Sequence, residues 1–390
     1  MTERLEADWA QRPDLARLVE ALGHENTRYV GGAVRDTLLG LPVKDIDIAT
    51  TLPPEAVIAR LDKAGIRNLP TGLDHGTVTA VLPEGPVEIT TLRRDVSTDG
   101  RRATVAFADD WQDDAARRDF TINALYADPQ TEEIFDYFGG LTDLAERRIR
   151  FIGDARQRIR EDHLRILRYF RFQARFGTQP ADEEAESACS ELAATLKGLS
   201  RERVGMEMMN LLGLPDPAPT VRRMVQLGVL PVVLPEADPR ALEALIAAEK
   251  RQGVAPDGLR RLAALLPAQV PLAEQVASRF RLSGPQKKRL ATAAAREGKP
   301  DDPRALAYRL GRDSALDRLL IAGCDASSIA DWDIPKFPLK GGEIVARGVR
   351  AGPEVARILR RIEDRWLAEA FPDRARVEAI LDDELAGRDT

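Results

Sequence analysis

Apolar and polar residues alternate one by one along several short stretches of the first 140 positions, and recur at helical spacing almost everywhere after them. RYVGG, DIDIATT, GTVTAVL, VEITTL and EIFDYF have the character of strands, whereas residues 12–23, 33–40 and 54–64 read as helices. Interleaving of the two kinds of run predicts a small α/β unit up to about residue 140. From about 141 onward strand signals nearly vanish, and Ala, Leu, Glu and Arg at helical spacing dominate to the end. Proline and glycine clusters at 213–219, 234–239, 298–303 and 333–342 punctuate this helical remainder into bundles. With 390 residues and 44% hydrophobic content, several packed units are expected.

One strand carries more than packing information. In KDIDI, Ile46 and Ile48 face a core, so Asp45 and Asp47 share the opposite face and can point at one spot. Shortly before them stands a glycine turn, VGGAVRD, in which Gly31 and Gly32 leave room for a phosphate against the backbone. The helix implied by AVRDTLLG offers free amides and Arg35 to the same anion. Two convergent carboxylates can hold Mg²⁺ against phosphate oxygens, so the order of parts suits a nucleoside triphosphate and predicts nucleotidyl transfer. The plainer alternative for Asp45 and Asp47 is the wet face of an edge strand. Glu88, in PVEITTL, is a candidate third carboxylate, as a metal ligand or as a base for an attacking hydroxyl, or else a solvated strand residue.

The formal charge of −6 argues against a chain that coats nucleic acid along its whole surface, so an anionic partner must meet a local basic patch. Residues 147–175 provide one, with ten arginines against three acids, a net +7. A helix starting near Arg160 is expected there. Ile166, Leu167, Phe170 and Ala174 would form its apolar stripe, and Asp162, Arg165, Arg168 and Arg171 the opposite arc. The ordinary reading of that arc is a solvated face with Glu161 and Arg165 as an i,i+4 pair. Yet arginines at 165, 168, 171 and 175 repel one another unless an anion lies among them, and a triphosphate supplies one. Two distant cysteines and three histidines in no ligand cluster argue against a disulfide framework and a structural zinc. No stretch approaches the roughly 18 apolar residues that cross a bilayer, and the start MTERLEADWA is charged, so a cytoplasmic protein without membrane association is expected.

GGAVRD with DID, then RRDFTINALYAD at 117–128, then EDHLRILRYFRFQARF at 161–176 together resemble the class II tRNA nucleotidyltransferases, the CCA-adding enzymes, and the related bacterial poly(A) polymerases of the DNA polymerase beta superfamily. The resemblance covers most of the chain, and IPKFPLKGGEIVARGVRAGPEVARILRRIEDRW is similar to the tail of bacterial CCA-adding enzymes. It implies an α+β fold. A small mixed-sheet catalytic head at 1–145 would be followed by an elongated all-α portion, with a helical neck at 146–215 and a tRNA-binding body and tail at 216–390. The implied reaction is template-independent addition of CCA to tRNA from CTP and ATP, assisted by Mg²⁺ on Asp45 and Asp47. A poly(A) polymerase, or an enzyme adding only A or only CC, is the alternative. The expected partner is the acceptor stem and top half of tRNA, with no obligatory protein partner.

The same resemblance assigns further residues. Arg118 and Asp119 would meet ribose and phosphates, with Arg117 as a possible substitute, although an isolated RRD is ordinarily a helix entry capped by its aspartate. Glu161, Asp162 and Arg165 form the family's base-reading EDxxR motif, with Arg168 and Arg171 beside them as nucleotide-binding arginines. Cytosine and adenine each present an amino donor beside a ring-nitrogen acceptor, which a carboxylate next to a guanidinium matches. Guanine and uracil present the reverse order and would leave like groups facing each other. The segment with Arg93, Arg94, Arg101 and Arg102 around an Asp-Gly turn corresponds to a mobile loop that the family needs when specificity switches from C to A. SRERVGMEMMNLL, with Arg201, Glu202, Arg203 and Glu207, corresponds to a segment that braces neighbouring helices. The family's occasional phosphohydrolase domain is not expected with so few histidines.

Overall fold

The computed structural model describes residues 4–99, 102–108, 110–298, 300 and 302–386. The chain forms two compact units, Met1–Pro235 and Glu236–Thr390.

In the first unit the strand-like runs build a seven-stranded mixed sheet. Its strands are β1 (Thr27–Val30), β2 (Ile46–Thr50), β3 (Asn68–Gly72), β4 (Thr77–Leu82), β5 (Gly85–Thr91), β8 (Leu125–Ala127) and β9 (Ile134–Asp136), in the order β3-β4-β5-β2-β1-β8-β9. β2 sits at the centre, antiparallel to β1 and parallel to β5, with Asp47 in register with Glu88. Strands β6 (Arg93–Asp99) and β7 (Arg102–Phe107) form a separate antiparallel hairpin where a loop was expected. Its tip, Gly100 and Arg101, lies outside the described residues, as do the side chains of Arg94 and Arg102.

Helices α1 (Pro13–Leu22), α2 (Gly32–Leu38) and α3 (Pro54–Lys63) match the three helical runs, and α4 (Trp111–Ala116) and α5 (Gly140–Ala145) complete the sheet-bearing part. One of its apolar clusters gathers Val30, Ala49, Leu92, Ala124 and Tyr126 from strands and turns far apart in sequence. The rest of the first unit is helical and includes α6 (Ala155–Glu161), α7 (Arg165–Phe176), α8 (Glu183–Glu191) and α9 (Arg201–Leu212).

A single helix through EDHLR is not what forms. The chain breaks at Asp162, whose backbone is extended (φ −149°, ψ 103°), and its carboxylate accepts the Leu164 amide (3.1 Å) at the entry to α7. An aspartate that bonds a backbone amide two residues on competes with helix continuation, which explains the break. The buried face of α7 is also wider than the expected stripe: Ile166, Leu167 and Phe170 are buried as expected, but so are Tyr169, Phe172 and Phe176, while Ala174 is only half-buried.

The second unit is all helix. Across both units each proline and glycine cluster spans a break between helices, its last residue or two opening the next helix: Leu212 and Ala218, Val233 and Pro239, Ala294 and Pro303, and Ala330 and Gly341 are the flanking ends. A buried ionic network lies inside the second unit, in which Arg260 bonds Glu249 (2.8 Å) and Asp317 (3.0 Å) and Arg289 bonds Asp317 (2.6 Å). Trp366 anchors another cluster, with Ile358, Ile362, Val377 and Ile380. Among the described residues no helix is long and apolar enough to cross a membrane.

Candidate active site

β2 presents its residues as the alternation requires: Ile46 and Ile48 are buried, Asp47 is half-buried on the other face, and Asp45 is exposed just before the strand begins. Asp45 therefore stands at the strand's entry and not within it. Burial pushes the Asp47 carboxyl up to about 6, with the negative charges of Glu88 and Asp45 adding to the rise and Arg118 opposing it. Asp47 thus stands within the field of two further carboxylates, Glu88 on β5 and Asp45 before β2.

Asp47 opens onto a cleft of about 560 Å³. Gly31 and Gly32 form one wall. Gly31 has a positive φ (68°), which suits glycine, and a Cβ there would stand 3.4 Å from Arg118 Nη1, so that arginine borders the turn. Arg35 lies behind the turn, buried, with its guanidinium carbon 4.2 Å from the Phe176 ring centre. Its Nε donates to Asp36 (2.7 Å) and its Nη1 to Asn123 (2.5 Å). Burial lowers the Arg35 pKa, with Asp36 opposing the shift.

The RRDFTINA segment contributes the next wall. Arg118 bonds Asp114 (3.1 Å) and Tyr126 (3.1 Å), and Arg117 bonds Asp114 (2.8 Å). Asp119 Oδ1 accepts from the Phe120 amide (2.9 Å) and from Asn123 (2.9 Å), while Oδ2 accepts two nitrogens of Arg168 (2.8 and 2.5 Å). Burial alone would raise the Asp119 pKa, but Arg168, Asn123 and the amide outweigh it and hold the group below the usual carboxylate range. Asp119 therefore ties the sheet-bearing part to α7.

Asp162, Arg165 and Arg168 line the opposite side of the same cleft. Asp162 and Arg165 are held by separate tethers. Arg165 Nη1 donates to Glu161 (2.6 Å) and to the Arg158 carbonyl (2.8 Å), and its Nη2 reaches the Arg117 carbonyl (3.4 Å). Asp162 Oδ2 accepts from Arg203 on α9 (2.6 Å). Arg171 lies outside the cleft lining and bonds Glu207 (2.6 Å).

The arginines of α7 do not wait for a triphosphate to separate their charges. Arg165 pairs with Glu161, Arg168 with Asp119, Arg171 with Glu207, and Arg175 with Asp36 (3.6 Å). The excess of +7 counted along the chain is offset in space by acids from other segments: Asp143 on Arg148 and Arg150, and Glu191 on Arg156, do the same nearby. The expectation that their mutual repulsion demands an external anion is thereby corrected.

Asn123, Arg203 and Glu207 also line the cleft, and Asp114 supports it from behind, none of them expected there from the sequence. Asn123 links Arg35 to Asp119, and its position inside TINA was its only signal. Arg203 and Glu207, read only as bracing residues, line the cleft as well as brace it. Asp114, part of an acidic run, is 1% exposed and bonds two arginines; its spacing of three and four from Arg117 and Arg118 was the available clue.

The family model described as the Poly A polymerase head domain matches residues 27–150, and one described as the Probable RNA and SrmB- binding site of polymerase A matches residues 181–240. The mitochondrial CCA tRNA nucleotidyltransferase 1 of Mus musculus is 35% identical over 384 residues, covering 92% of this chain and 87% of that protein. Its Homo sapiens counterpart is 36% identical over 377 residues, with the same two coverages. The crystal structure of the Bacillus stearothermophilus CCA-adding enzyme in complex with CTP superposes with a TM-score of 0.73 at 25% identity, covering 97% of this chain and 99% of that one. With a nucleotidyltransferase-like sheet, a cleft joining a strand carboxylate to the EDxxR segment, and relatives matched over nearly their whole length, this chain belongs to the CCA tRNA nucleotidyltransferase family.

Proposed function

We propose that the chain extends tRNA 3′ ends with C, C and A from CTP and ATP without a nucleic-acid template. The observation that carries this reading is that a strand carboxylate, a glycine turn and the Asp162 and Arg165 pair all open onto one cleft.

The donor set fits a hard divalent cation. Among the described residues no three His, Cys, Asp or Glu side chains are gathered into a metal cage. Mg²⁺ does not need one, since it binds through one or two carboxylates and completes its shell with phosphate oxygens and water. Asp45 and Asp47 would hold Mg²⁺, and Glu88, in register beside Asp47, would serve as a further ligand or as a base. When bound, the ion supplies neutralisation of the triphosphate and a lower barrier to attack by the RNA 3′-hydroxyl on the α-phosphorus.

The protein's own groups bind, orient and select. Gly31 and Gly32 admit the phosphates to the backbone, while Arg35 and Arg118 offset their charge. Asp119 and Arg118 meet the ribose and phosphates from the other wall, and Arg168 extends the positive lining of α7, while Arg171, outside the lining, holds Glu207 at its edge. Asp162 accepts the amino group of cytosine or adenine, and Arg165 donates to the ring nitrogen beside it. As the 3′-hydroxyl gives its proton to Glu88 or to water and its oxygen bonds to the α-phosphorus, the bond to the bridging oxygen breaks and pyrophosphate leaves. Residues 1–145 would act as the catalytic head and 146–215 as the neck, with 216–390 holding the acceptor stem and top half of tRNA by shape and backbone. Incubating the protein with tRNA ending at its discriminator base and each triphosphate in turn, then sequencing the products, tests this. Ordered C, C and A are expected, and a run of A from ATP alone would support a poly(A) polymerase instead.

A further inference from the structure

We propose that Asp114 and Tyr126 are positioning residues that aim one corner of Arg118 into the nucleotide cleft, a role that rests on the reading above in which Arg118 meets the triphosphate. Asp114 comes from α4, Tyr126 from β8 and Arg118 from the turn between them, so three separate elements meet at one carboxylate. Asp114 Oδ1 accepts from Arg117 Nε (2.8 Å) and from the Arg93 amide (3.3 Å). Its Oδ2 accepts from the Tyr126 hydroxyl (2.8 Å) and from Arg118 Nη2 (3.1 Å). With two donors on each oxygen, the carboxylate cannot turn without stranding a donor in a place where its own side chain is 2% exposed.

Arg118 is gripped along one edge. Its Nε donates to the Tyr126 hydroxyl (3.1 Å) and its Nη2 to Asp114, which together fix the plane of the guanidinium. The corner left over is Nη1, the atom that stands 3.4 Å from where a Cβ on Gly31 would be. The edge facing the core is thus used for orientation, and the corner facing the glycine turn remains for an anion. An ion pair serving stability alone is commonly replaceable by apolar residues at little cost, and nothing would then require its arginine to border a cleft. The Arg93 amide adds a second consequence, because the first residue of the β6–β7 hairpin is pinned to the same carboxylate that sets Arg118.

The test uses the full chain with tRNA lacking its terminal A, and measures KM and kcat for ATP together with the melting temperature. Tyr126→Phe removes one hydroxyl and is expected to raise KM roughly three- to tenfold with a smaller change in kcat, and Asp114→Asn to raise it roughly tenfold or more. Adding Tyr126→Phe to Arg118→Ala should change KM no further, because the hydroxyl acts through the arginine. If Arg118→Ala raises KM while Tyr126→Phe and Asp114→Asn leave it at the wild-type value, the positioning role is overturned and the role of Arg118 stands. If Arg118→Ala itself leaves KM unchanged, the reading of Arg118 fails and this inference fails with it. Should Asp114→Asn not fold, Tyr126→Phe alone decides between these outcomes.

Discussion

Replacing Asp162 with alanine separates selection from folding, and the structure fixes the size of each effect. The side chain does two things in the free protein: it accepts the Leu164 amide at the entry to α7, and it pairs with Arg203. A side chain–amide bond of this kind contributes about 0.5–1.5 kcal/mol. The ion pair, with its side chains 32% and 29% exposed, adds only about 0.2–1 kcal/mol after solvent screening. A loss of about 1–2 kcal/mol is small beside the ~5–15 kcal/mol of an ordinary fold, and at about 2–4 °C per kcal/mol it lowers the melting temperature by only a few degrees. Selection should change far more. Without an acceptor opposite the base amino group, preference for CTP over UTP and for ATP over GTP should fall by roughly 1–3 kcal/mol, about 5- to 150-fold. Single-nucleotide incorporation with each triphosphate, run beside a melting curve, measures both. A variant that folds and keeps wild-type preference among the four nucleotides would refute the assignment of Asp162 as a base reader.

Other expectations follow from the same geometry. Asp47→Asn should cost catalysis on the order of 10³-fold or more through loss of metal-assisted transfer, read as pyrophosphate release. The same change should stabilise the protein at neutral pH in EDTA. Because burial first, and then Glu88 and Asp45, raise the Asp47 pKa to about 6, its contribution is favourable below about pH 4 and is lost as pH rises through 6. An unchanged or lower melting temperature for Asp47→Asn at pH 7 without divalent cation would contradict that. Asp114 behaves in the opposite sense: burial would raise its pKa, but Arg118, Arg117 and the Tyr126 hydroxyl hold it at about 2. Its stabilisation, roughly 2 kcal/mol, is therefore present above about pH 4 and lost between 4 and 2, and Asp114→Asn should flatten acid denaturation in that window. Deleting residues 96–102, which shortens the β6–β7 hairpin, should leave CC addition largely intact and stop addition of A; equal loss of both steps would count against a role for the hairpin in the switch.

How much of this was legible in the chain depended on whether the signal was local. β1, β2, β4, β5 and the first three helices follow from period and turn residues, and the alternation of Ile46, Asp47 and Ile48 placed Asp47 on the correct face. β8 escaped because Leu125, Tyr126 and Ala127 are all buried in mid-sheet and show no alternation. β3 escaped because Asn68–Gly72 contains a proline and pairs irregularly with β4. The break before Arg165 was invisible to periodicity, since the apolar spacing runs through EDHLR while a single aspartate–amide bond ends the first helix. The charge balance of α7 was misread for a deeper reason: Asp119 lies 49 residues before Arg168 and Glu207 lies 36 residues after Arg171, so the neutralising partners are known only once the chain has folded. Arg203 reached the cleft by the same route, from a helix whose sequence advertised only bracing.

In the proposed mechanism one cleft both holds the triphosphate, through a metal on Asp45 and Asp47, and chooses its base with side chains of the EDHLR segment. A crystal structure of the chain with Mg²⁺ and CTP decides whether it does. Phosphates against Gly31 and Gly32, the ion on Asp45 and Asp47, and the cytosine edge on Asp162 and Arg165 are expected. Phosphates bound elsewhere, or a base turned away from that pair, would contradict it.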